Sequence, residues 1–402
     1  MIFQLIIFLA LILGIFLGVL TGLIPGIHVN LVSVFLLSSP LTFISPLSAL
    51  IFIVSMSITH TFLDFIPSIF LGAPDEDTAL SILPGHEFLN RGKGYQAVIY
   101  TLLGSSLGIL IILIFTPLFL FILPKIYFYL KQVMFLILIF ASFYLIFREK
   151  KSKLLAIIIF FLSGFLGLAS FSLPIKNSLL PLLTGLFGAS SLVISLMKKE
   201  KIPKQSVISL RKIKITKKEM KNIFLASILS APLCVFLPSL GSSQAAVIGS
   251  DIIGETNRKQ FLILLGSINT IVAGLSFIVL FSIHVMRTGT ALTLGKILPL
   301  LTLTHLFIIL ATIIISGIIS FFLTIKIGKI AAKKIHLFNY YYLSFLILVF
   351  LSLLALFFSG FFGFLVFLVS TFTGLSSILL GIRRIYLMGA LMVPSILLYL
   401  PF

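Results

Sequence analysis

Three acids stand beside two prolines and a glycine in the stretch Phe65-Ile66-Pro67-Ser68-Ile69-Phe70-Leu71-Gly72-Ala73-Pro74-Asp75-Glu76-Asp77-Thr78-Ala79-Leu80, inside a chain that is otherwise mostly apolar. A charged side chain at the bilayer centre costs about 2.5–3.5 kcal/mol on insertion scales, so acids at that depth face a water-lined cavity or a bound ion. Three uses are open for Asp75 and Asp77. They could cap the helix that begins near Thr78, with Glu76 facing water. They could coordinate a cation or carry protons for coupling. They could also form a catalytic carboxylate pair, although no nucleophile or ligand set accompanies them. His60 and Asp64, spaced i, i+4, share one face of a helix that Pro67 should end. That puts them within reach of a proton relay, or of a satisfied polar pair that ties helices together. His28, His60, Asp64 and His86 lack the tight spacing of a metal-ligand set, and no metal site is expected.

A second kind of chemistry lies where the backbone itself must open. Pro25-Gly26-Ile27-His28-Val29-Asn30 interrupts an apolar run, and Pro238-Ser239-Leu240-Gly241-Ser242-Ser243-Gln244 does so in the second half. Proline removes a donor and glycine relaxes the backbone, so each stretch should break a helix and leave free amides at a new helix start. Such a start attracts anions. The plainer alternative is a kink capped by Asn30 or Ser243, or a turn between two full spans.

The elements that must position these residues are membrane helices. The chain has 402 residues, 60% of them hydrophobic, and a mean hydropathy of +1.27. Segments 2–21, 95–122, 126–147, 154–174, 178–197, 261–286, 298–325, 340–359 and 361–380 are each long enough to cross a bilayer, which takes roughly 20 apolar residues. With two shorter regions and the stretch 386–402, about 10–12 membrane elements are expected. The first 21 residues carry no Lys or Arg, so they read as a first mature span and not as a cleaved signal. The expected fold is an all-α integral membrane protein of the plasma membrane, and no soluble catalytic domain is in view.

The net charge of +19 comes from 29 basic and 10 acidic residues. In a soluble protein it would suggest nucleic acid. Here the basic residues gather in short loops, at 148–153, 198–221, 326–334 and Arg383-Arg384, as cytoplasmic loops do. The single cysteine, Cys234, excludes an intramolecular disulfide. Forty-two phenylalanines without tryptophan are bulk for a lipid-facing surface.

The polar stretch 198–221 divides the chain into a membrane repeat 1–197, a basic cytoplasmic linker and a membrane repeat 222–402. Pro25 matches Pro238 at an offset of 213, Thr78-Ala79-Leu80 matches Thr290-Ala291-Leu292 at 212, and Ser57-Ile58-Thr59 resembles Ser267-Ile268-Asn269 at 210. With the linker inside and the uncharged N-terminus outside, the repeats would be inverted, and interrupted helices from both would meet near the bilayer midplane.

In these motifs the chain resembles the large permease subunit of the tripartite tricarboxylate transporters, in the shorter form found as an isolated archaeal membrane protein. The resemblance runs through Gly22-Leu23-Ile24-Pro25-Gly26, Gly72-x-Pro74 leading into Thr78-Ala79, and Gly92-Lys93-Gly94. It continues through Leu237-Pro238-x-x-Gly241 and the tail from Gly381 through Arg383-Arg384 to Met388-Gly389. It implies secondary transport by two inverted repeats, with a carboxylate held between the paired Pro-Gly loops and uptake driven by a cation gradient. By position it implies roles for Pro25, Gly26, Pro74, Thr78, Pro238, Gly241 and Thr290. Two departures stand out: Asp75-Glu76-Asp77 where small neutral residues are usual, and Pro238-Ser239 where Pro-Gly is expected.

The expectation is therefore a secondary active transporter, not an enzyme, that moves an anionic carboxylate-type solute by alternating access. Its binding residues would be Pro25, Gly26, His28, Asn30, Gly72, Pro74, Thr78, Pro238, Gly241, Ser242, Ser243, Gln244, Thr288, Gly289 and Thr290. His60, Asp64, Asp75 and Asp77 would couple transport to H+ or Na+, with no further cofactor. Besides solute and lipid, a small membrane subunit or a binding protein is an open partner. Two rivals are a polyprenyl-phosphate lipid-carrier translocase, whose phosphate suits the same helix starts, and an intramembrane enzyme using Asp64 and Asp75 or a metal.

Overall fold

The computed structural model describes the chain except residues 1, 25–28, 30–31, 34–44, 73–76, 148, 150, 176–177, 199–201, 237–240, 255, 338–339 and 401–402. Helices make up 86% of it, and no strand occurs among the described residues. With no water in the bilayer core, each backbone amide must be satisfied within its own segment, which selects helices. Seven helices among the described residues are long and apolar enough to cross: Gln4–Leu23, Pro46–Leu71, Gly94–Tyr129, Lys153–Ser172, Arg258–Ile283, Leu303–Leu337 and Ser344–Leu379.

Three boundaries differ from those expected. The region around 46–71 is a full span whose apolar window is wholly buried. Its Ser and Thr residues lower its hydropathy because it packs on protein. Pro67 does not end this span: helix Pro46–Leu63 pauses at Asp64, resumes as Phe65–Leu71, and stops at Gly72 with φ 65°. Pro67 sits in the first turn of the second piece, where its missing N–H is tolerated, and the carbonyl four residues back at Leu63 loses its donor instead. The expected span 126–147 is also divided, because helix Gly94–Gln132 runs on through Pro117 and Pro124 before Met134–Phe147 begins.

Close helix crossings fix the directions of the chain. A side chain at Gly14 would strike Phe52 and Ser55, at Gly18 Met56 and Thr59, and at Gly22 Leu63, so Ile2–Leu23 and Pro46–Leu63 run parallel. Small residues let membrane helices approach this closely. Ser320 Oγ donates to Thr59 Oγ1 at 2.9 Å and Thr324 Oγ1 to the Phe62 carbonyl at 3.2 Å, so Leu303–Lys334 runs the same way. Its basic end meets the start of Gly94–Gln132, with Gly328 against Val98 and Tyr95. The same face holds the linker, where Gln205 Oε1 accepts from the Gly94 amide and the Ser206 amide donates to the Gly92 carbonyl. Arg258 pairs with Glu87, and Lys259 pairs with Glu219 at 2.6 Å. Helices Lys217–Phe236 and Arg258–Ile283 therefore start at this basic face, whereas Ile2–Leu23 and Pro46–Leu63 run toward it.

Two bodies result. The larger buries Leu50, Ile58, Phe62, Ile99, Ile111, Leu264, Ile271, Leu294 and Ile309, drawn from 46–123 and 223–335. The smaller joins 141–187 to 366–392 around Phe160, Leu186, Phe187, Tyr386 and Met388. Leu80 and Val247 of the larger body pack against the smaller, and Tyr144 Oη donates to Asp251 Oδ2 at 2.9 Å between them.

Arg384, expected in a cytoplasmic loop, is instead 5% exposed at the heart of the smaller body. It donates to Ser191 Oγ at 2.6 Å, Ser190 Oγ at 3.0 Å, and the carbonyls of Leu186 and Phe187. Those carbonyls belong to the π-helix Thr184–Ala189. Its wider turn leaves acceptors outside the usual ladder, and the guanidinium fork takes them up.

Candidate functional site

Helix Lys217–Phe236 and helix Ser242–Ile252 form a hairpin, since a side chain at Gly249 would meet Ser230 and the Ala226 carbonyl. Eleven residues of return helix span about 16 Å, and a hydrocarbon core is about 30 Å thick. The return helix is therefore only about half as long as a crossing requires.

Both arms end at the hairpin tip, one offering amides and the other carbonyls, and residues from outside the hairpin answer each. At the amide end Asp77 Oδ1 accepts from the Ser242 amide at 3.1 Å and from Ser242 Oγ at 2.9 Å. Ser243 Oγ donates to the Asp77 carbonyl at 2.8 Å and accepts from the Leu80 amide at 3.4 Å. Gln244 Oε1 accepts from the Gly241 amide at 2.9 Å. At the carbonyl end Arg287 Nε donates to the Cys234 carbonyl at 2.7 Å. Each charge faces the helix terminus whose dipole suits it.

Asp77 is therefore a cap, but not of the helix after Thr78, where no side-chain cap bond forms. It caps a helix of the other half, 165 residues away. Thr78 is buried and shares a 2.7 Å hydrogen bond with Ser68 Oγ, which donates to the Asp64 carbonyl at 2.9 Å. The chain of contacts thus reaches Asp64, which is 1% exposed. Asn269 Nδ2 donates to Asp64 Oδ2 at 2.7 Å, and His60 Nε2 stands 3.9 Å from that oxygen, close enough for charge but not for a hydrogen bond. His60 Nδ1 in turn lies 3.1 Å from Thr21 Oγ1.

In the second half Thr288 caps its own helix Gly289–Ile297, accepting from the Ala291 amide at 3.2 Å and sharing a 2.8 Å bond with Thr290. That helix, begun by Gly289, packs on Pro46–Leu63, and the preceding Arg287 ties it to the hairpin. The expected residues thus fall into an Asp77–Ser242–Ser243–Gln244–Gly241 group, a Thr78–Asp64–His60 string and a Thr288–Thr290 cap. Gly72 serves as the left-handed terminus of helix Phe65–Leu71. Pro25, Gly26, His28, Asn30, Pro74, Asp75 and Pro238 lie outside the described residues.

Arg287 and Asn269 were not among the candidates. The repeat offset of 212 sets Arg287 opposite Asp75, and an amide stands at Asn269 inside an apolar run; both were usable signals. Among the described residues no three His, Cys, Asp or Glu side chains gather as a metal-ligand group.

The chain matches the model of the Tripartite tricarboxylate transporter TctA family over residues 8–389. It is 31% identical over 363 residues to the uncharacterized protein MJ1079 of Methanocaldococcus jannaschii, covering 87% of this chain and 88% of that one. No solved structure matches. Family membership, the seven apolar helices and the buried polar centre describe one molecule: the chain belongs to the tripartite tricarboxylate transporter TctA family and is a multi-pass permease of the plasma membrane.

Proposed function

We propose that the protein is a secondary active transporter that carries a carboxylate-type organic anion by alternating access, driven by H+ or Na+. The observation that carries this reading is the hairpin tip, where the N-terminus of Ser242–Ile252 engages a carboxylate through one amide and one hydroxyl. Helix starts bind anions without a positive side chain, and Arg287 adds a cation beside the tip. Thr78, Gly241, Ser242, Ser243 and Gln244 would line the solute path, with Thr288, Gly289 and Thr290 approaching from the second half. Asp64, held by Asn269 beside His60, supplies a buried carboxylate for the coupling ion, which would be the only cofactor.

The opposed directions of 2–63 and 217–283 support a pair of inverted repeats at 1–197 and 222–402, joined by the linker 198–221. The sparse contacts between the two bodies support rocking of one against the other. Membership of a tripartite family supports a small membrane subunit or a solute-binding protein as partner. Purified protein in liposomes, screened over di- and tricarboxylates under imposed proton or sodium gradients, should accumulate at least one of them. Failure with every carboxylate under both gradients overturns the reading; movement of polyprenyl phosphates instead would make the protein a lipid-carrier translocase.

A further inference from the structure

The start of helix Ser242–Ile252 already holds a carboxylate, and it is the protein's own. Asp77 takes both the amide and the hydroxyl of Ser242 with a single oxygen, Oδ1. A second feature at the same opening points to a further acceptor. Gln244 is fully buried, and its amide is turned back over the helix start because Oε1 accepts from Gly241. Its Nε2 is sealed from solvent and has no hydrogen-bond partner among the described residues. A Cβ on Gly241 would stand 3.1 Å from Gln244 Oε1 and 3.5 Å from Asp77 Oδ1, so the Gln244 amide and the Asp77 carboxylate both border Gly241 at the helix start. A buried donor without an acceptor is unfavourable, and an arriving oxygen anion relieves it.

We propose that Asp77 is an internal stand-in for the transported solute: its carboxylate occupies the place of a substrate carboxylate, and loading displaces it. This rests on the reading of the protein as a carboxylate transporter. The incoming carboxylate receives the Ser242 amide and hydroxyl and the Gln244 Nε2–H. Asp77, stripped of its two donors and set beside a second carboxylate, then takes up H+ or Na+, since a neighbouring like charge disfavours two bare carboxylates at one place. Binding of anion and cation are thereby linked through a single side chain.

The test uses the full-length protein in detergent and in liposomes. Asp77→Ala leaves a carboxylate-sized vacancy, so its unfolding midpoint should fall and about 10 mM acetate should restore most of the loss by mass action, with little effect on wild type. Asp77→Asn keeps the shape without the charge; it should bind citrate about tenfold tighter than wild type, and exchange solute without gradient-driven accumulation. Asp77→Asn carries the test alone if Asp77→Ala does not fold. An Asp77→Ala protein indifferent to acetate, or an Asp77→Asn protein with wild-type citrate affinity and wild-type accumulation, overturns the proposal. If acetate rescues Asp77→Ala but wild type moves no carboxylate, the carboxylate site stands and the transport reading fails.

Discussion

The segments that carry Thr78 and Thr290 align at a sequence offset of 212, yet they bring opposite charges to one hairpin. In the first half the segment presents Asp77 to the amide end of the tip; in the second it presents Arg287 to the carbonyl end. A symmetric pair of segments would offer the same group twice and grip one terminus. An asymmetric pair grips both, so the tip is held from two sides by one charge of each sign. The two segments align in sequence, and the two charged positions differ between them.

Exchanging the charges, with Asp77→Arg and Arg287→Asp together, is the strongest way to break this comparison. Each group would then oppose the helix terminus it faces, and the protein should lose about 2 kcal/mol at each terminus, the upper range for a partly buried charge at a helix end. A double variant with an unchanged unfolding midpoint in detergent would show that the charges are interchangeable. Asn269→Leu removes the second half's donor to Asp64. It should cost about 2 kcal/mol of stability by the same measurement, and gradient-driven accumulation should fall. Arg287→Lys keeps the charge but loses the planar fork, so solute uptake should drop about tenfold, near 1.4 kcal/mol of barrier, with little change in melting. Smallest is Lys259→Ala at the basic face. There the hydrogen bond from Lys259, and then that from the Thr216 amide, hold the Glu219 carboxyl below the usual carboxylate range. A folded value below the unfolded one stabilises at neutral pH and is lost as pH falls through the folded value. Lys259→Ala should therefore cost under about 1 kcal/mol at neutral pH, and the gap from wild type should close in acid.

Much of this molecule was legible where a residue's neighbours in sequence set its role. The helix start at Ser242 and the proximity of His60 to Asp64 both follow from spacing. What was hidden depends on distant partners. The buried span Pro46–Leu63 looked short because hydropathy reads lipid exposure, and this helix meets protein instead. Arg384 looked like a loop charge because no local signal announces the π-turn that receives it. Asp77 stands in an acidic cluster that reads as one local unit, but the helix it caps begins 165 residues on. Arg287 was passed over because the basic residues were read as topology.

One further residue decides whether the smaller body can exist. Helix Tyr340–Leu379 counts 40 residues, about 60 Å if straight and twice what a bilayer accommodates. Gly360, at φ 70° and ψ −169°, divides it, and Ile347, Leu351 and Ala355 before it and Phe367 after it pack in one cluster with Ala189 and Leu192. A side chain at that φ and ψ is strained even though nothing lies within 4 Å of where its Cβ would stand. Gly360 is thus the joint at which one apolar stretch becomes two helical pieces, and a side chain there would strain that joint far from any solute.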